Sequence, residues 1–294
     1  MRTTFRLGVL AFVALFIVRS PATAQGAPPT ARQIVERIQT ELNGRWTDDG
    51  IDSFKDGDPN TPVTGVAVTM MATMDVLQRA AAAGLNLIIT HEPTFYSHED
   101  ALDALQAIGD PVTAAKRAYI RDHHLVVYRL HDHWHIPARP IDPMVTGLFR
   151  VLDWQRYQAA PGALVIAHPE TTVGALASEI ARGLGAPAVR VVGDAAMRVT
   201  KVAFVPGSAG FAMQRSMFAR DDVEVLLIGE AREWETVPYA ADAITQGARK
   251  ALIVIGHIPS EQPGMEEFAR WFQPLMPALP VKFVPAADPF WPPK

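Results

Sequence analysis

Three uninterrupted apolar runs, each ending in imidazole or carboxylate side chains, constrain this chain more than any other feature of its sequence. Leu87-Ile88-Ile89-Thr90 runs into His91-Glu92, Val126-Val127-Tyr128 into the stretch from His131 to His135, and Ile253-Val254-Ile255-Gly256 into His257. Short apolar runs bounded by turn residues are the pattern of strands covered on both faces. In an open α/β sheet, ligands gather just outside the carboxyl ends of the strands. Clusters far apart in sequence can therefore meet in one pocket, and a metal site is the leading expectation.

Between the apolar runs the periodicity becomes helical. Thr30-Ala31-Arg32-Gln33 has the form of a capping box, and Ile34, Ile38 and Leu42 then recur at helical spacing. Residues 43–62, rich in Gly, Asp, Asn and Pro, read as a long loop. There follow a strand over 63–71, a helix over 74–83 with Gly84 at its C′ position, strands over 86–90 and 125–130 around a helix at 111–122, and a helix opened by Asp142-Pro143. A second half predicts strands at 163–167, 189–192, 201–205, 223–228 and 251–255, with helices at 173–184, between 205 and 223, and at 236–246. It closes with a helix at 265–272 and a strand at 281–284. Repeated strand–helix units predict an α/β fold with substantially parallel sheet, divided into lobes at 25–157 and 158–294.

The first 24 residues read as an export signal. Arg2 and Arg6 form a positive n-region, Leu7 to Val18 is apolar, and Ala22-Thr23-Ala24 offers a small-residue cleavage site before Gln25. The apolar run is shorter than the roughly 20 residues a membrane span needs, so the expectation is a mature chain in the periplasm or secreted, without stable membrane insertion. The chain has no cysteine, which excludes disulfides and a cysteine-linked lipid anchor. Removing residues 1–24 takes away three arginines and no acid, moving the formal charge from −4 to −7. A modestly acidic surface without Lys/Arg runs argues against nucleic-acid binding, which needs a basic patch.

The polar clusters differ in what they can do. His91 and Glu92 follow an apolar strand and precede Pro93, so two donors appear where the chain turns. His131-Asp132-His133-Trp134-His135 packs three imidazoles and a carboxylate into five residues, the usual ligand types for Zn, Mn, Fe or Co. If that stretch is extended, His131, His133 and His135 share one face and Asp132 takes the other, so not all four can ligate together. A solvated histidine-rich loop, acting at most as a surface scavenger, is the alternative. His257 and Glu261 are four apart, which puts both on one side of a helical turn, although Pro259 makes that turn irregular. A capping or salt-bridging role is the plainer reading of that pair. Glu230, after the apolar run 223–228, suits an outer acceptor orienting a ligand histidine.

Two other motifs carry less. Asp122-His123-His124 precedes a strand and should lie at the far end of the sheet from the pocket. Pro206-Gly207-Ser208-Ala209-Gly210 could offer N–H groups to an anion, but it lacks the P-loop Lys-Ser/Thr and the G-x-G-x-x-G spacing. No G-x-S-x-G elbow is present.

In order and context these clusters resemble the NIF-three-like family of dinuclear metal-centre hexameric proteins, the homologues of GTP cyclohydrolase I type 2. Asn86 to Phe95 is similar to that family's strand-plus-THHP motif. Val127-Tyr128-Arg129-Leu130-His131 with His135, Leu227-Ile228-Gly229-Glu230, and Ile255 to Glu261 follow in the family's order. The resemblance implies two interlinked α/β lobes with a metal pair between them, assembled as a hexamer of this chain. Carried over by position, the metal ligands are His91, Glu92, His135, His257 and Glu261. Glu92 stands where the family has histidine and His135 where it has aspartate, an exchange that conserves the ligand inventory. His131 matches a family histidine near the metals.

The functional expectation is a metal-dependent hydrolase acting on an unknown small molecule. Two divalent ions (Zn, Mn, Fe or Co) would lower the pKa of a bridging water, with Glu230, His131 or Asp132 as general base or acid. The alternative is a non-catalytic metal-binding or assembly protein.

Overall fold

The computed structural model describes residues 27–44, 46–47, 50–135, 141–291 and 293. The expected export signal over 1–24 lies outside the described residues. In chain order the elements are α1 (Ala31–Leu42), β1 (Phe54–Asp56), β2 (Val66–Thr69), α2 (Met74–Ala82), β3 (Leu87–Thr90), α3 (Asp103–Ala107), α4 (Pro111–Asp122), β4 (Val126–Arg129), α5 (Asp132–His135) and α6 (Pro143–Val151). The chain continues through β5 (Val165–Thr172), α7 (Val173–Leu184), β6 (Arg190–Val192), β7 (Arg198–Val205), α8 (Gly210–Phe218), β8 (Val225–Ile228), α9 (Thr236–Thr245), β9 (Ala251–Val254), α10 (His257–Phe272) and β10 (Val281–Phe283).

Two five-stranded sheets result, ordered β1-β4-β3-β2-β10 and β5-β7-β8-β9-β6. The cores β10-β2-β3-β4 and β7-β8-β9 are parallel, and the antiparallel strands β1, β5 and β6 lie at edges. Every residue of β2, β3, β4, β8 and β9 is buried, as expected for parallel strands covered on both faces.

Local signals account for many of the element boundaries. The capping box forms at Thr30 and Gln33. Asp110 and Asp142 cap α4 and α6, each with Pro at the first helical position, where a missing N–H costs nothing. Gly84, at φ 72°, follows α2.

Three local expectations are corrected. The loop over 43–62 contains the short edge strand β1, which pairs with β4. The last helix starts at His257, eight residues before the predicted start at Met265, because Pro259 falls in its first turn, where N–H groups lack an intrahelical acceptor anyway. The segment 131–135 coils into a helical turn and is not extended.

The end of the chain crosses back to the first sheet. β10 pairs with β2, and α10 packs against β2, β10 and α6. A Cβ on Gly147 of α6 would come within 2.5 Å of the Pro263 and Gly264 backbone of α10, so these helices approach nearly backbone to backbone. This crossing interlinks the two α/β lobes and brings α10 to the carboxyl ends of β3 and β4. Among the described residues no helix is long and apolar enough to cross a membrane.

Candidate metal centre

β3 delivers His91 and Glu92 with little freedom. Beyond the strand, the His91 N–H still bonds Thr69 O at 3.2 Å and the Glu92 N–H bonds Met70 O at 2.9 Å. His91 is fully buried. Its Nδ1 lies 3.1 Å from the Leu130 carbonyl, which can only accept, so Nδ1 carries the proton and Nε2 presents a bare lone pair. That Nε2 is buried and has no hydrogen-bond partner. Burial, followed by the neighbouring His131 and His135, holds its pKa well below the ordinary 6.5. The ring is therefore neutral, the form a metal ligand needs.

The coiling of α5 decides the histidine-rich segment. Asp52 accepts the backbone N–H groups of His131, Asp132 and His133 at 2.5, 3.0 and 2.8 Å, so one carboxylate satisfies the orphan donors of a helix start. His131 and His135, one turn apart, then share a side. His133 faces away, stacked on Trp46 at 3.5 Å and bonded to Asp52 at 2.7 Å. The rings of both His131 and His135 join His91, with centroids 4.4 and 4.9 Å from it and 4.9 Å from each other. Nδ1 of His131 lies 2.8 Å from Asp132, and Nδ1 of His135 lies 2.9 Å from Asp142.

The first turn of α10 supplies the remaining donors. His257 Nε2 lies 2.9 Å from Glu261 Oε2 and 3.2 Å from Glu92 Oε1, while its Nδ1 lies 3.3 Å from Glu230 Oε2. Burial opposes a charged ring here. Hydrogen bonds to Glu230, Glu261 and Glu92 outweigh it and push the His257 pKa up to about 12. Burial likewise opposes ionisation of Glu92, yet His257, then His131 and Arg129, draw its pKa down to about 2. A proton on His257 thus takes the place of a cation among three carboxylates.

Each of the four inward-facing imidazoles has one nitrogen on an outer acceptor: Leu130 O, Asp132, Asp142 or Glu230. Outer acceptors of this kind fix the tautomer and orientation of metal-ligating histidines. Two groups of ligand atoms lie within 4.8 Å of one another, His91 with His131 and His135, and His91 with Glu92 and Glu261. They share His91, whose single free nitrogen can serve one ion. The bare buried Nε2 and this mixed donor set fit a divalent metal.

A cavity of about 670 Å³ opens from the group, its walls including Tyr96, Val145, Leu164, Met213 and Glu230. The loop at Pro206 to Ala209 forms another wall. The Gly207 N–H is spent on Ser260 Oγ at 3.0 Å. A larger cavity of about 790 Å³ lies at the opposite end of the first sheet, where His124 of the Asp122-His123-His124 triplet sits. No group of three ligand side chains gathers there among the described residues. Asp52 and Asp142 escaped the sequence reading as parts of the site. Asp142 was legible only as a helix cap, and Asp52 sits in a loop without periodicity.

A family model described as Duf34/NIF3 (NGG1p interacting factor 3) matches residues 31–289. The chain belongs to the DUF34/NIF3 family. Solved structures agree on the fold. The Staphylococcus aureus protein SA1388 aligns with a TM-score of 0.66 at 17% identity, over 90% of this chain and 99% of its own. A Bacillus cereus protein related to NIF3 gives 0.65 at 15%, over 90% and 99%. The protein ybgI, of unknown function, gives 0.65 at 19%, over 89% and 100%. No curated protein matches the chain significantly. For a DUF34/NIF3 chain, the two positions where sequence departs from the expected motif, Glu92 and His135, both point into the shared donor group.

Proposed function

We propose that the chain holds two divalent ions and acts as a metal-dependent hydrolase on a small molecule. The reading rests above all on His91 Nε2, a fully buried and unpartnered lone pair among inward-facing imidazoles and carboxylates. His91, Glu92, His135, His257 and Glu261 are the proposed ligands, and His131 joins them because its ring stacks on His91 with Nε2 3.6 Å from Glu92. A donor set of imidazole and carboxylate suits Zn, Mn, Fe or Co.

When bound, such ions polarise a carbonyl or phosphoryl oxygen and acidify water. The protein does the rest. Glu230 is half-exposed, and its pKa is lowered chiefly by its hydrogen bond to His257, so it is an ionised base facing the cavity. Asp132 holds His131 in its tautomer, and His91, Glu92 and Glu261 are buried beneath the more exposed His131, His135 and His257.

The open cavity favours catalysis over a purely structural centre, since a closed protein-only shell would leave a substrate no place. The proposal extends to a mature chain exported after cleavage near Ala24 and to a homo-oligomeric ring of six. The n-region, apolar run and small-residue site support the first, and the family likeness supports the second.

Elemental analysis of the wild type and of His257→Ala tests the centre. About two ions per chain in the wild type and a sharp fall in the variant are expected. No stoichiometric metal after incubation with Mn, Zn or Fe overturns the reading. Full occupancy without turnover of phosphoester or amide substrates would favour the metal-binding or assembly role.

A further inference from the structure

Beside the donor group lies a buried cation that the proposed chemistry does not use. The Arg129 side chain, at the end of β4, is wholly buried. Its Nε donates to the His91 carbonyl at 2.9 Å, its Nη1 donates to the His98 carbonyl, and its Nη2 faces Glu92 Oε2 at 3.4 Å. Asp100 closes the arrangement. Its Oδ1 accepts the Thr94 and Phe95 N–H groups at 2.6 and 2.7 Å, while Oδ2 lies 3.7 Å from Arg129 and 3.9 Å from Lys55. A buried guanidinium is tolerated only when paired and hydrogen-bonded, and its rigid planar fork makes each contact directional.

The consequence falls on Glu92, whose two oxygens face opposite ways. Oε1 lies 3.2, 3.6 and 4.0 Å from Nε2 of His257, His131 and His91, whereas Oε2 is turned to Arg129. A carboxylate chelates one ion through both oxygens only if both lone pairs reach it. Resting on the metal-centre reading above, we propose that Arg129 is a positioning residue that holds Glu92 as a one-oxygen ligand, with Oε1 offered to the ions and Oε2 withheld. The same contact neutralises part of the charge that Glu92 brings to its position, limits the coordination number and leaves room for water or substrate. Asp100 ties down the loop that covers the guanidinium, through the Thr94 and Phe95 N–H groups.

A double-mutant cycle on Co²⁺-loaded protein separates this role from a structural one. Wild type, Arg129→Met, Glu92→Gln and the double variant are compared by Co²⁺ dissociation constant and by the intensity of the visible d–d bands, which falls as coordination number rises. Arg129→Met is expected to tighten Co²⁺ binding by about tenfold, since it removes a nearby positive charge, and to lower the band intensity, because the released carboxylate turns both oxygens inward. In the Glu92→Gln background the same substitution should leave the band intensity unchanged. Equal changes in band intensity in both backgrounds would show that Arg129 acts only through the His91 and His98 carbonyls, and would overturn the proposal. Thermal unfolding monitors the fold. Should Arg129→Met not fold, Arg129→Lys carries the same cycle, since a single ammonium keeps the charge but cannot reach all three acceptors. Absence of Co²⁺ binding by the wild type would instead sink the metal-centre reading itself.

Discussion

Asp142 grips His135 from outside the donor group while starting a helix. One carboxylate oxygen lies 2.9 Å from His135 Nδ1, and the other accepts the Met144 N–H at 2.8 Å as the cap of α6. Replacing it with alanine should therefore have two separable effects. Loss of the cap should cost about 1 kcal/mol in chemical denaturation of metal-free protein. Loss of the imidazole's outer acceptor should weaken metal binding by about 10- to 100-fold. Asp142→Asn retains a capping oxygen and should recover most of the stability but not the affinity. Equal recovery of both would mean that His135 is not a ligand.

Metal uptake should release a proton from His257. Its pKa of about 12 in the metal-free protein means that the ring is protonated throughout the neutral range, and ligation requires that proton to leave. Apparent affinity should accordingly rise about tenfold per pH unit between about pH 6 and 8 through this group alone, measurable by competition with a chromophoric chelator. An affinity independent of pH would remove His257 from the ligand set. Stability of the metal-free protein runs the other way. Because the folded pKa is raised above the ordinary 6.5, the His257 contribution is complete below about pH 6.5 and is lost as pH climbs toward 12.

Gly207 should prove intolerant for a reason that reaches the site. At φ +58°, an added Cβ would lie 2.3 Å from Glu261 Oε1. Gly207→Ala should displace that carboxylate and lower metal content. Gly210→Ala is the control, since φ is also positive there but nothing lies within 4 Å of the added carbon. Both should lose about 1–2 kcal/mol to left-handed backbone, and only the first should lose metal. Equal metal content in the two would dismiss Glu261 as a ligand.

His133 and His131 should part company. His133→Ala loses the Trp46 stack and the Asp52 bond, so a fall of about 1–2 kcal/mol in stability with unchanged metal content is expected. His131→Ala should reduce metal content. A scavenging histidine-rich loop would respond equally to both changes, which elemental analysis of the two variants decides.

The legible parts of this molecule are those where local chemistry and tertiary packing agree. The apolar runs became fully buried parallel strands, α4 and α7 begin and end where expected, and the clusters after β3, β4 and β9 do meet. What stayed hidden depends on partners distant in sequence. The coil of α5 is imposed by Asp52, about 80 residues earlier, and strict alternation could not reveal that His133 turns away. The early start of α10 was masked by Pro259, which punctuates a sequence but is harmless in a first helical turn. Arg129 reads as an ordinary strand-end residue, and its partners become visible only once the loop from His91 to Asp100 is folded over it.

The pairing of β10 with β2 also has a consequence in time. During synthesis β2 emerges more than 200 residues before the strand that flanks it, and α10, bearing His257 and Glu261, emerges only shortly before that strand. No nascent intermediate holding only the first lobe has a finished edge or a complete donor set, so the first sheet and the donor group can be completed only after the chain has left the ribosome through β10.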